Sequence, residues 1–544
     1  MAKYGVLISS TSHLIFLATI CLLPILLLFV FRKRTKSKQC SARLLPPGPK
    51  PWPFINNIHQ LIFKKKPFYQ WIHRFMEEKK THIACVRFGD VHVIPIVSPK
   101  IALEVVRKND ATFASRPTSF AAHMFSKGYK SAALTPSGDQ WKKMRKILTS
   151  EIVCPKRHRF FHDKRAEEAN NLIHYVFNKA KRFEQVDIRV VARHYCGNVI
   201  RNLVFNKRYF RKPVHDCGPG ADEIEHVNAL FTSLEYLYAF SISDYYPQLI
   251  GLNLDGHETF IKAACETFKK FHDPIVDERV ELWRESENQE REPEDFLDIL
   301  IMLCDQEGRP LLTPDEIKAQ SIEIMIAAVD NPSNAVEWIL AEMMKNPDIL
   351  QIAVNEIDYV VGKDRLVQEA DIPRLNYLKA CIREAFRLHP MDPFNVPHVA
   401  MEETNLAGYF IPKGSHVLLS RVGLGRNPDI WHEPLEFKPE RHLDVGRSDV
   451  VLSEPDVRFI SFSTGRRGCI ALNLGTAMTV MLLARLLQGF SWSMPHGLST
   501  IDLVESDKNL KLAKPLVLQA EPRLPLFMYT PEKCLEAAVP DRSC

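Results

Sequence analysis

The chain has 544 residues, a formal net charge of +6, 25% charged residues and 12 cysteines. The cysteines are scattered with no C-x-x-C pair, which excludes a disulfide framework and fits a reducing compartment. The mild positive balance comes without a nucleic-acid motif, so it points to a membrane surface or an acidic redox partner and to no nucleic acid.

Residues 5–31 carry no charged side chain apart from His13, and residues 14–31 are nearly all apolar. That length crosses a bilayer core of about 30 Å, and transmembrane helices tolerate a proline such as Pro24. The basic run Arg32, Lys33, Arg34, Lys36 and Lys38 follows at once. The positive-inside rule then places the remaining chain in the cytosol. Residues 1–38 are expected to be an uncleaved transmembrane anchor with a basic stop. A cleaved signal peptide fits worse, because the apolar stretch is long and the charge lies on its wrong side.

Residues 39–53 read as a proline-rich hinge, stiffened by Pro46, Pro47, Pro49, Pro51 and Pro53. Residues 54–544 read as one large domain, since no later linker divides them and no repeat recurs. Residues 83–97 alternate apolar and polar around Gly89-Asp90, which predicts a β-hairpin. Trp141 and Arg145 are four apart and share a helix face. The charged stretch 284–295 reads as a solvated surface loop. Residues 327–334 lie in a long helical segment, where Pro332 leaves the Ala328 carbonyl without its helical donor. A plain kink or helix end is the competing reading of Asn331-Pro332. Glu384 and Arg387 share one face of an otherwise apolar helix. A second β-rich patch spans 404–420. Most of the remainder has helical period, so the expected class is mainly α with a smaller β-rich part.

Cys469 is the most informative residue. It ends the run Phe462-Ser-Thr-Gly465-Arg-Arg467-Gly468-Cys469, ahead of a long apolar helical stretch. Gly465 and Gly468 let the backbone turn so that amide N–H groups face the sulfur. A helix start lowers a thiol pKa, as a thiolate ligand requires. A lone thiolate does not suit zinc, which takes three or four protein ligands. It suits a metal whose other positions are already filled, as in haem.

This loop resembles the haem-thiolate loop of the cytochrome P450 superfamily. One departure is Ala471, where the family usually has Gly. The resemblance implies the cytochrome P450 fold and haem b, its iron ligated by Cys469. It implies a buried charge network of Glu384, Arg387 and Arg441, and haem contacts from Trp141, Arg145, His398, Phe462 and Arg467. On the oxygen-activating helix it implies catalytic places for Asp330, Asn331 and Ser333. Asn331 replaces the usual Thr of proton delivery, and the carbonyl freed by Pro332 could hold a water or a substrate ammonium.

Residues 330–338, Pro439-Glu-Arg-His442, residues 389–398, Ala513-Lys-Pro-Leu and Pro522-Arg-Leu-Pro525 together resemble one branch, the plant amino-acid N-monooxygenases that form aldoximes. That resemblance implies two N-hydroxylations of an L-amino acid, then loss of water and CO2. It also implies O2, electrons from NADPH through a separate reductase, and a single-pass place in the endoplasmic reticulum membrane with a cytosolic catalytic domain. Phe120, Phe394, Val504 and Glu505 are candidate substrate contacts, with Phe125, Met391 and Asp502. His123, Lys127 and Lys130 are candidates for the substrate carboxylate, with surface exposure as the competing reading. The alternatives on the same fold are a haem-thiolate lyase or isomerase, an ordinary hydroxylase of apolar molecules, and an inactive haem protein.

Overall fold

The computed structural model describes residues 43–53, 55–62, 67–211, 218–285, 292–443, 449–497, 500–506 and 509–529. The expected anchor at 1–38 lies outside the described residues. Among the described residues, no helix is long and apolar enough to cross a membrane.

The molecule is mainly helical. Its centre is the helix Pro314–Lys345, buried along most of its length. It stays buried although it carries Glu323, Asp330 and Glu337, because each finds hydrogen-bond or ion-pair partners. It starts at a capping box: Thr313 accepts from the Glu316 backbone, while the Glu316 side chain accepts from the Thr313 N–H. Pro332 does not end it, because the helix runs on through Trp338. The helices Ile188–Phe205, Leu472–Gly489, Ala221–Leu237 and Asn376–Leu388 pack around it.

Among the described residues, the strands form three separate sheets. Strands β1 (Val86–Phe88) and β2 (Val91–Ile96) form the expected hairpin. β3 (Val186–Asp187) joins a separate sheet. β4 (His398–Val399) and β7 (His416–Leu419) complete a four-stranded sheet of order β1-β2-β7-β4, in which only β2 and β7 run parallel. β5 (Thr404–Leu406) and β6 (Tyr409–Ile411) form a hairpin in the expected second β patch. β8 (Phe490–Ser493) and β9 (Val517–Pro522) pair with β3 in the order β3-β9-β8.

The proline-rich stretch is tied to this β part. Pro47 and Leu44 carbonyls accept from the N–H groups of Cys85 and Phe410, at 2.9 and 2.8 Å. A Cβ at Gly48 would lie 1.9 Å from the Cys85 carbonyl oxygen, so only glycine permits this approach. Asn56 adopts a left-handed φ of 48° and donates to the Gly89 carbonyl at 2.8 Å. Asn tolerates that region better than most residues.

The reading of 284–295 as a solvated loop needs correction. Residues 286–291 are outside the described residues, but Asp295 is buried and caps the helix Phe296–Met302. Asp295 and Asp298 share Arg279, at 3.1 and 2.6 Å. Arg284, Glu292 and Glu294 are exposed as expected, so the correction is confined to Asp295, which serves a helix cap and a buried ion cluster.

Candidate active site

Cys469 stands three residues ahead of Leu472, the start of the helix Leu472–Gly489. Its N–H donates to the Phe462 carbonyl at 2.8 Å, and the Gly468 N–H to that of Gly465 at 3.0 Å. Gly465 has φ +77° and packs so closely on Val106 that a Cβ would sit 2.0 Å from its carbonyl oxygen. Gly475 faces the Phe462 ring, which a Cβ there would meet at 2.9 Å. Ala471, at φ −98°, is in a region open to any residue, so the missing glycine costs nothing.

The thiol does not follow the helix start alone. Burial raises its pKa, while the Ala471 N–H and Arg145 act in the opposite direction without cancelling it. Its surface nevertheless remains accessible. A second accessible patch lies inside the packing: Ala327, Ala328 and Asn331 keep open surface on a helix whose flanking residues Ile326, Val329 and Asp330 are buried.

Three guanidinium groups and a histidine surround the loop. Arg467 is buried and donates to carbonyls of Ala114, Ala132 and Thr135 at 2.5, 3.4 and 2.8 Å. Its guanidinium lies 4.2 Å from the centre of the Trp141 ring. Arg145 donates to the Gly468 carbonyl at 3.0 Å. Both side chains of the Trp141/Arg145 pair therefore reach the Cys469 loop. Arg116 is buried and donates to the carbonyls of Val396 and Pro397, yet its Nε finds no partner. His398 places Nδ1 2.9 Å from the Phe113 carbonyl, and its buried Nε2 has no partner.

Burial pushes the Arg467 pKa down to about 9 and that of Arg116 to about 10, with neighbouring guanidinium groups lowering both further. Burial, then Arg116, hold His398 at about 3. This excess of buried positive charge needs an anion. Glu323 of the central helix is nearby but already accepts from Ser131, Ala132, Ala133 and Leu134. The two orphaned nitrogens and the cation cluster fit two carboxylates such as the haem propionates. An incoming carboxylate offsets Arg116 and Arg467 and lets His398 Nε2 carry a proton toward it.

Behind the loop, the Glu384 carboxylate accepts from Arg387 at 2.7 and 2.8 Å, Arg441 at 3.0 Å and His442 at 2.8 Å. Arg387 also donates to the carbonyls of Gly425, Pro434 and Glu436. Burial raises the Glu384 pKa, but the hydrogen bonds from Arg387 and His442 outweigh it and hold it at about 2. Arg383 Nε donates to His442 Nδ1 at 3.4 Å, which leaves the proton on Nε2, facing Glu384.

The central helix separates the three residues read together from it. Asp330 is buried, accepts from Asn334 at 2.6 Å and pairs with Lys511 at 3.3 Å. The Ser333 hydroxyl turns back to the Val329 carbonyl at 2.6 Å. Asn331 alone of the three is not buried.

The candidate substrate contacts scatter. Lys127 and Lys130 pair with Asp273 and Asp315, and His123 is exposed, as in the competing surface reading. Phe125 is buried, Asp502 is exposed, and Val504 is 51% exposed. Glu505 pairs with Arg426. Phe394 stacks at a tilt on Phe68 and His73, and Phe120 is half-buried at the start of the helix Phe120–Phe125. Met391 is half-buried. Sequence reasoning missed Arg116. Its only local signal is a lone Arg after the apolar-rich Phe113-Ala-Ser.

The cytochrome P450 family profile matches residues 46–520 of this chain. The chain belongs to the cytochrome P450 family. This P450 is therefore a haem-thiolate monooxygenase that takes electrons from a redox partner. It is 56% identical over 539 residues to a tyrosine N-monooxygenase of Sorghum bicolor, covering 96% of each chain. It is 54% identical to a valine N-monooxygenase of Manihot esculenta, covering 92% of this chain and 91% of that one. A tryptophan N-monooxygenase of Arabidopsis thaliana is 51% identical, with 96% of each covered.

Proposed function

We propose that this P450 hydroxylates the α-nitrogen of an L-amino acid twice, yielding an aldoxime after loss of water and CO2. The observation that carries this reading is near-full-length identity above one half to relatives named as N-monooxygenases of tyrosine, valine and tryptophan. Haem held by Cys469 would supply oxygen activation.

The chain's own residues prepare the site. Ala471 and Arg145 stabilise the Cys469 thiolate. Arg116, Arg145, Arg467 and His398 would hold the propionates, and Phe462 packs the loop against Phe386 of the helix Asn376–Leu388 and Gly475 of the helix Leu472–Gly489. The open surface at Ala327, Ala328 and Asn331 supports reading this part of the central helix as a wall of the substrate chamber. Asn331 can donate and accept there, and the Ala328 carbonyl freed by Pro332 holds a water or the substrate amine. A dry chamber favours the neutral amine that must be oxidised. Asp330 and Ser333 act through the helix backbone and Asn334, holding Asn331 in place.

The same reading gives the reductase as the NADPH-dependent one of the endoplasmic reticulum membrane. Residues 1–38 anchor the protein there, and 39–53 orient the catalytic domain 54–544. The ties of Leu44 and Pro47 to the β part support a fixed orientation. The test is product analysis: reductase, NADPH and each of the twenty protein amino acids are supplied, and an aldoxime is sought. No aldoxime from protein with intact thiolate-ligated haem would overturn the reading.

A further inference from the structure

Four charged side chains from four separate segments converge beside the central helix: Asp330, Lys511, Asp392 and Arg421. Asp330 and Lys511 satisfy each other at 3.3 Å. The other two do not. Asp392 is enclosed by protein yet keeps accessible surface, which places it on the wall of an interior space. Among the described residues, no hydrogen bond or ion pair reaches it. Arg421 is 9% exposed. Its Nε has no partner, and among the described residues the one hydrogen bond of its side chain is a long 3.3 Å from Nη2 to Asn395. Arg421 and Asp392 feel each other's charge, yet no ion pair of 4.0 Å or less joins them.

Backbone holds the two in this relation. The Arg421 N–H donates to the Pro393 carbonyl at 2.9 Å, and Asn395 N–H to that of Leu419 at 2.9 Å. The segment carrying Asp392 continues to His398, so it runs from the Glu384 helix to the cation cluster. A separated, half-satisfied pair of opposite charges is costly in a protein interior unless something completes it.

We propose that Arg421 and Asp392 form the zwitterion site of the enzyme: Arg421 takes the α-carboxylate of an amino acid, and Asp392 takes its α-ammonium and then one proton from it, leaving a carboxylic acid and the neutral amine that is oxidised. This rests on the amino-acid reading above and names residues that reading leaves open. Arg suits a carboxylate because its planar fork donates in pairs. Burial and Asp330 raise the Asp392 pKa to about 6, against Arg421 and Lys511. A cation at that carboxylate relieves the strain. The arrangement recognises the part common to all amino acids and leaves the side chain to other walls.

Binding to the full-length holoenzyme tests this, read from the haem absorbance change. The wild type is first titrated with each of the twenty protein amino acids. The tightest binder, its α-carboxamide and its deaminated acid are then the probes. Arg421→Gln should weaken the amino acid about 30-fold or more and the carboxamide far less. Asp392→Asn should weaken the amino acid but leave the deaminated acid nearly unchanged. Equal losses for each pair of probes, or none, would overturn the proposal. If Arg421→Gln fails to hold thiolate-ligated haem, Asp392→Asn and Arg421→Lys decide alone. A wild type that binds no amino acid would sink the underlying reading, and the proposal with it, before any variant is made.

Discussion

Pro332 removes one N–H from the middle of a buried helix, and Asn331 beside it keeps open surface. Restoring the donor with Pro332→Ala re-engages the Ala328 carbonyl. The expected result is a fall of about tenfold or more in product formed per O2 consumed. Unchanged coupling would show that the freed carbonyl takes no part. At the cation cluster, Arg116→Ala removes one unpartnered donor and leaves the carbonyls of Val396 and Pro397 without theirs. Purified variant protein should carry less haem per chain than wild type. Full haem content would place the propionates elsewhere.

The Glu384 network operates between elements, joining the helix Asn376–Leu388 to the turn Pro439–His442. Glu384→Ala leaves the buried Arg387 guanidinium and the partly buried Arg441 without their carboxylate, a loss of about 3–5 kcal/mol. Thermal unfolding of the variant holoenzyme checks it. Acid acts on the same group. The Glu384 pKa falls from 4.5 unfolded to about 2 folded, so its contribution is complete above pH 4.5 and disappears as pH falls through about 2. His442, lowered by burial against the pull of Glu384, adds the same sign below its ordinary 6.5. Stability measured from pH 7 to 3 should fall monotonically, and a rise toward acid would contradict the network.

Local pattern made much of this legible. The Cys469 loop is contiguous, Glu384 and Arg387 are one helical turn apart, and the β1–β2 hairpin turns on Gly89-Asp90. The rest depends on distant partners. Asp295 looked solvated because Arg279, its partner, lies on another helix. The helical reading of 327–334 holds through Pro332, and the competing helix end fails because burial and the capping box sustain Pro314–Lys345. Arg116 joins Val396 and Pro397 across the fold, and no periodicity announces that.

Across the whole molecule, a helical body holds Cys469 and the central helix, while the sheet margin carries residues 43–53. Deleting residues 1–42 should release a soluble, haem-containing protein that no longer sediments with membranes. Continued sedimentation would mean that the body binds membranes by itself. The central claim is oxygenation of an amino-acid nitrogen with electrons from a reductase. The most direct measurement supplies 18O2, NADPH and reductase with each amino acid and weighs the aldoxime formed. The account predicts an NADPH-dependent aldoxime whose oxygen carries the label. An unlabelled product, or one formed without NADPH, would contradict it and favour a rearranging haem-thiolate enzyme on the same fold.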